Sequence, residues 1–160
     1  MSTLRVDSIQ DTAGVDNQGK IIQIVNNTTP KGRYTSTSSV FIDTGFSVTI
    51  TPKFASSKIL LNVCAVGYSS GHYSYLDIYR NGTTSISGSA NNTNGLTGPA
   101  AGSGANWDTI VTFYQDSPNT TSAVTYNLYG RTSAGTLTLA NGLSVVYPNG
   151  VYLSATEIAQ

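Results

Sequence analysis

The sequence predicts an all-β fold: an antiparallel two-sheet sandwich, jelly-roll-like, of about ten short strands behind a short extended N-terminal arm. Three observations carry this. Apolar residues recur with period two wherever a period is visible, no window keeps a helical stripe, and turn chemistry separates the strand candidates at short intervals. With 160 residues the chain is long enough for one domain with a real core, and it divides into an arm, residues 1–19, and a sandwich head, residues 20–160.

The leader "MSTLRVDSIQDTAG" is a polar strip in which Leu4, Val6 and Ile9 are apolar handholds, spaced to add an extended segment to a partner. "KIIQIVN" is the first strand candidate and "YTSTSSVFID" the second, with "DTG" as the turn after it. In "FSVTITP", Phe46, Val48 and Ile50 alternate with Ser47, Thr49 and Thr51, as a half-buried strand requires. "SKILLNVCAVG" is a strand-like apolar run in which Cys64 reads as a small buried hydrophobe. "YSYLDIYRN" sets Tyr73, Tyr75, Asp77 and Tyr79 against Ser74, Leu76, Ile78 and Arg80, and the Asn81-Gly82 pair leading into "TTSISG" is the strongest hairpin signal. From Ser87 to Asn106 no period survives, and the Gly/Asn/Ala-rich segment reads as a long loop. "WDTIVTFYQ" follows. "SAVTYNLYGRT" places Val124, Tyr126 and Leu128 on one face and Thr125, Asn127 and Tyr129 on the other. "GTLTLANGLSVV" and "VYLSATEIA" complete the set.

If consecutive strands alternate direction, an even strand count puts the start of "KIIQIVN" and the end of "ATEIAQ" at one end of the sandwich. The same parity sends "NNTTPKG", "TPKFASS", "RNGT", "DSPNTT" and "YPNG" to the far end, and "DTG", "YSSGH", the long loop and "TSAG" to the end with the termini. The far end then collects Lys31, Arg33, Lys53, Lys58 and Arg80.

Eight basic residues balance eight acidic ones, so no net field draws the chain to nucleic acid or an anionic membrane. Only 10% of residues are charged, against about 25% in an average domain; the polar surface is built instead from Ser, Thr, Asn and Gly, which suit strands and tight turns. The one cysteine rules out an intramolecular disulfide, no stretch has the length of a membrane span, and the leader lacks the apolar region of a signal peptide.

Catalytic motifs fare poorly. "GYSSG" satisfies G-x-S-x-G around Ser69, but a strand follows where a hydrolase elbow needs a helix, and the sole histidine, His72, lies three residues away; a turn between strands is the reading retained. His72 cannot build a zinc site alone, Asp7, Asp11 and Asp16 lack calcium-loop density, and "GPAAGSGA" has no lysine for phosphate. Acids spaced along strands, such as Asp77, Asp108 and Glu157, read as solvated. The expectation is no enzyme, no cofactor and no metal. Tyr68, Tyr73, Tyr114 and Tyr147 stand at strand ends or loops, where rings either stack on sugars or cap a rim or subunit interface; Trp107 reads as packed.

The stretches "VFIDTGFSVTITPKFASSKILLNVCA", "YLDIYRNGTT", "TFYQDSPNTTSAVTYNLYG" and "SATEIAQ", with the leader "STLRVDSIQDTAG", resemble small bacteriophage virion and tail-fibre proteins, notably from phages of aquatic bacteria. The resemblance implies a homotrimeric jelly-roll-like head located on the virion, with its N-terminal segment facing the particle and contacting other virion proteins of the tail, baseplate or capsid. Such a head is made in the host cytoplasm. On this reading Leu4, Val6 and Ile9 are particle-docking candidates, and Lys31, Arg33, Lys53, Arg80 and Tyr147 are candidates for attachment to host-surface polysaccharide. A capsid decoration or cement protein and a free carbohydrate-binding module are the alternatives.

Overall fold

A computed structural model of the chain describes residues 19–27, 32–70, 73–86, 108–139 and 151–160. They form β1 (Ile21–Asn26), β2 (Tyr34–Ser36), β3 (Ile42–Ile50), β4 (Lys58–Ser69), β5 (Ser74–Arg80), β6 (Thr84–Ser85), β7 (Asp108–Asp116), β8 (Val124–Thr132), β9 (Leu137–Leu139) and β10 (Val151–Ile158). No helix occurs among the described residues, and every strand pairing is antiparallel, so the period-two reading gave the right fold class.

The first sheet is organised around β4. One edge of β4 pairs with β7, from Ile59↔Asp116 to Gly67↔Asp108. Its other edge pairs with β10 from Lys58↔Ile158 to Ala65↔Val151, and then with β9 from Gly67↔Leu139 to Ser69↔Leu137. β9 and β10 therefore occupy one line. Outside them β1 pairs with β10 and β2 with β9, so β1 and β2 form a second line, both running away from the end of β10. The second sheet has the order β3-β8-β5-β6. With each broken line counted as one strand, the two four-stranded layers have jelly-roll order.

The continuation from β1 into β2 overturns most of the loop map. Because that step does not reverse, the later turns among the described residues fall at the opposite end, until β10 continues the line of β9. The start of β1 and the end of β10 do share an end: Gly19 N–H donates to Ala159 O at 2.7 Å and Ala159 N–H to Lys20 O at 2.9 Å. That end also holds the β3–β4 corner with Lys53, the Asn81-Gly82 turn after Arg80, and the β7–β8 connection. The β4–β5 and β8–β9 connections lie at the remote end instead.

Inward residues alternate as expected: Phe46, Val48 and Ile50 on β3, Leu76 and Ile78 on β5, and Val124, Tyr126 and Leu128 on β8 are all buried. They meet Ile59, Leu61, Val63 and Ala65 of β4 and Leu153 and Ala155 of β10, and burying each Leu, Ile or Val stabilises the fold by about 1.5–3 kcal/mol. Asn81 (φ 51°) and Gly82 (φ 70°) make the tight turn their sequence signalled, with Thr83 N–H donating to Arg80 O at 3.2 Å. "DTG" is not a turn between strands but a bulge inside β3, where the register breaks between Asp43 and Ser47 and Gly45 N–H donates to Asp43 Oδ1 at 2.6 Å.

Candidate functional site

The two sheets present different outer faces. Along β4, buried and half-buried residues alternate, leaving Leu60, Asn62, Cys64, Val66 and Tyr68 on the outer side. Cys64 is thus half-buried on that face, in register with Tyr152 and Val111, rather than in the core. The strand is apolar on both sides, so its alternation could not be read from sequence. On the neighbouring strands the face rises into exposed apolar side chains: Val111 (56%) and Phe113 (66%) on β7, and Ile24 (57%) on β1. These two clusters sit at opposite edges of the sheet, three strand spacings apart, or roughly 14 Å. Between them Asn62 Nδ2 donates to Ser154 Oγ at 3.2 Å, and Tyr152 OH donates to Asn26 Oδ1 at 2.6 Å. Among the outward residues described on β4, β7 and β10, Lys58 is the one charge, and its ammonium donates to Ser117 Oγ at 2.7 Å.

The second sheet is aromatic and polar outside. The Tyr79 and Tyr129 rings stack with centroids 4.1 Å apart, and the Arg131 guanidinium lies over Tyr75 at 4.1 Å and over Phe41 at 5.3 Å. Burial, reinforced by the Asp77 carboxylate, pushes the Tyr79 phenol above its ordinary pKa. Asp77 itself is fully buried, accepting from Ile78 N–H and Ser85 Oγ, both at 2.7 Å.

Two further polar constellations escaped the sequence reading. Glu157, the chain's sole glutamate, is fully buried near the end where Gly19 meets Ala159. Its Oε1 accepts from Lys53 N–H (2.7 Å), Phe54 N–H (3.2 Å) and Ser57 Oγ (2.7 Å), and its Oε2 from Gln23 Nε2 (2.7 Å). Burial alone would push this carboxyl's pKa up; the four hydrogen bonds outweigh it and hold the pKa below its ordinary value. Asp116 of β7 takes both a two-oxygen contact from Arg80 Nη1 at 3.1 Å and the Tyr126 hydroxyl at 2.8 Å, tying the two sheets together. Burial and the Asp116 hydrogen bond raise the Tyr126 phenol well above its ordinary pKa. Strand parity was the available signal, since it puts Glu157 in the inward set with Leu153 and Ala155, and Arg80 with Leu76 and Ile78. Asp77 and Glu157 are therefore not the solvated acids that their spacing suggested.

Of the attachment candidates, Arg33 and Lys53 are exposed and Arg80 is held in the ion pair with Asp116. They form no crown. Tyr34, next to Arg33, is level with Gly67 on β4 through Leu139, whereas Glu157, which holds the Lys53 amide, is level with Ile59. The two positions are thus separated by roughly 25 Å along the sheet. Lys31, Tyr147, and the docking candidates Leu4, Val6 and Ile9 lie outside the described residues, as do His72, Trp107 and the segment 87–106. Ser69 is the last residue of β4, and its buried hydroxyl accepts from Ser74 Oγ at 2.8 Å, so it sits in a strand end and not on an exposed elbow. Tyr73 is exposed, while Tyr114 packs against the core. Among the described residues no three His, Cys, Asp or Glu side chains group to hold a metal ion, and no helix is long and apolar enough to cross a membrane.

Neither a protein-family model nor a curated protein matches this sequence.

Proposed function

We propose that the protein is a structural protein of a bacteriophage particle: a homotrimeric jelly-roll head, held to the particle by its N-terminal arm and presenting its remote end to the host surface. The observation that carries the assembled state is the neutral, apolar outer face of the β1/β10/β4/β7 layer. Its exposed clusters stand at opposite edges, Ile24 on one side and Val111 with Phe113 on the other. A closed ring needs two different patches, one for each neighbour, and these two supply them. With Lys58 as the one outward charge described on β4, β7 and β10, the two patches can meet without charge repulsion. The sequence resemblance to phage virion and tail-fibre heads supports a place on the particle, and the return of β1 and β10 to one end supports an arm leaving that end alone.

An electron-microscopy map of purified particles tests the reading. The expected result is threefold density of this fold, with the Gly19 end toward the particle; purified particles that lack the chain contradict it.

A further inference from the structure

The end remote from Gly19 and Ala159 carries a shallow, open cleft of about 430 Å³. It is lined by Thr35, Ser36, Thr37, Ser38, Ile42 and Thr136. Its place in the fold follows from the register, since Ser36 faces Leu137, which in turn faces Ser69 at the end of β4. We infer that this cleft binds an uncharged saccharide, an inference that rests on the host-attachment reading above.

Five of the six lining residues carry hydroxyls, and none is charged. A hydroxyl both donates and accepts, which matches the mixed donors and acceptors of a sugar ring. Ile42 adds an aliphatic surface for the ring's C–H face. The wall is also fixed in advance. The strap from Thr37 to Phe41 crosses from the first sheet to the second, and three bonds hold it internally: Ser38 N–H to Ser36 Oγ (3.1 Å), Ser38 Oγ to Val40 O (2.8 Å) and Val40 N–H to Ser38 Oγ (3.1 Å). Thr132 N–H on β8 anchors it through Ser38 O at 2.8 Å, and Arg131 Nη1 reaches Ser39 O at 3.4 Å. Among the described residues the Thr35, Thr37 and Thr136 hydroxyls make no such bond, so they are available to a ligand. A preordered wall spares binding the cost of ordering it.

The neutral class follows from the same placement. Lys53, Lys58 and Arg80 lie at the opposite end, the nearby Arg131 guanidinium lies over the Tyr75 and Phe41 rings, and the exposed Arg33, two residues before Thr35, is not part of the lining. An anionic polymer would find no cationic lining here.

Saturation-transfer NMR on the full chain, with a panel of uncharged methyl glycosides and N-acetylhexosamines, tests the site. Wild type is expected to bind at least one panel member in the millimolar range. The variant combining Thr35→Val, Thr37→Val and Thr136→Val should weaken that binding at least tenfold, and Thr37→Trp, which fills the cleft, should abolish it, with melting temperature and mass unchanged. A panel without any transfer to wild type overturns the inference, as does binding untouched by both variants. Binding confined to a sulfated or carboxylated polysaccharide and lost with added salt also overturns it. Presence on particles is read separately, so a protein that binds sugar but is missing from particles refutes attachment and leaves the cleft standing.

Discussion

Glu157 on β10 accepts the backbone N–H of Lys53 at 2.7 Å, so one buried carboxylate fixes the corner through which the chain passes from β3 in one sheet to β4 in the other. With Ser57 and Gln23 also donating to it, the residue fastens β1 and the β3–β4 corner to β10 near the end where Gly19 meets Ala159.

Replacing Glu157 with Gln puts one amide nitrogen where only acceptors are wanted. A loss of about 2 kcal/mol in urea unfolding at neutral pH is expected. The pH dependence follows from the lowered native pKa. The stabilisation is complete above the ordinary carboxylate value of 4.5 and is lost as pH falls through the lower native value. Wild type should lose stability across that acid window, and Glu157→Gln should lose less.

Asp116→Ala leaves the Arg80 guanidinium and the Tyr126 hydroxyl without their shared acceptor, at an expected cost of about 2–3 kcal/mol. Tyr126→Phe removes one neutral donor and should cost about 1 kcal/mol. Because the native Tyr126 pKa is raised, its contribution is complete below the free phenol value of 10.0 and is lost as pH rises toward the native one. Spectrophotometric titration should show this tyrosine resisting ionisation until the fold opens.

Gly130 on β8 lies against β9: an added Cβ would stand 2.7 Å from Leu137 Cδ2 and 3.5 Å from Leu76 Cδ2. Both leucines are core residues, so Gly130→Ala should cost about 1–3 kcal/mol through overpacking. In Gly130→Ala/Leu137→Ala the penalties should be less than additive, as thermal or urea denaturation of the four proteins in the cycle would measure.

How much was legible depended on whether a local pattern had one structural meaning. The alternation of Phe46, Val48 and Ile50, and the Asn81-Gly82 pair, each did, and strands and turn formed as read. The segment between Asn26 and Tyr34 carries Asn, Pro and Gly, which serve a reversal or a break in one line equally well. Here β1 and β2 run on in line, and that moved Lys53 and Arg80 to the opposite end from the one parity assigned. "SKILLNVCAVG" hides its phase because both faces of β4 are apolar, the inner for the core and the outer for the unpartnered face. The cleft could not be foreseen, since Thr35–Ser38, Ile42 and Thr136 meet only through the pairing of β2 with β9 and the strap into β3.

The outer face of the first sheet leads to a separate expectation for stability. Val111 and Phe113 are exposed in the single chain, so Val111→Arg and Phe113→Arg should change the unfolding of an isolated subunit by no more than about 0.5 kcal/mol. Their effect should fall on assembly, seen as a melting temperature that depends on concentration in wild type and not in the variants.

Light scattering coupled to size exclusion tests the central claim most directly. Wild type should elute at three times the 16.8 kDa chain mass, and the Val111→Arg/Phe113→Arg variant as a folded protein of single-chain mass. A wild type that stays at the single-chain mass at every concentration, or a variant that remains trimeric, would contradict assembly through this face.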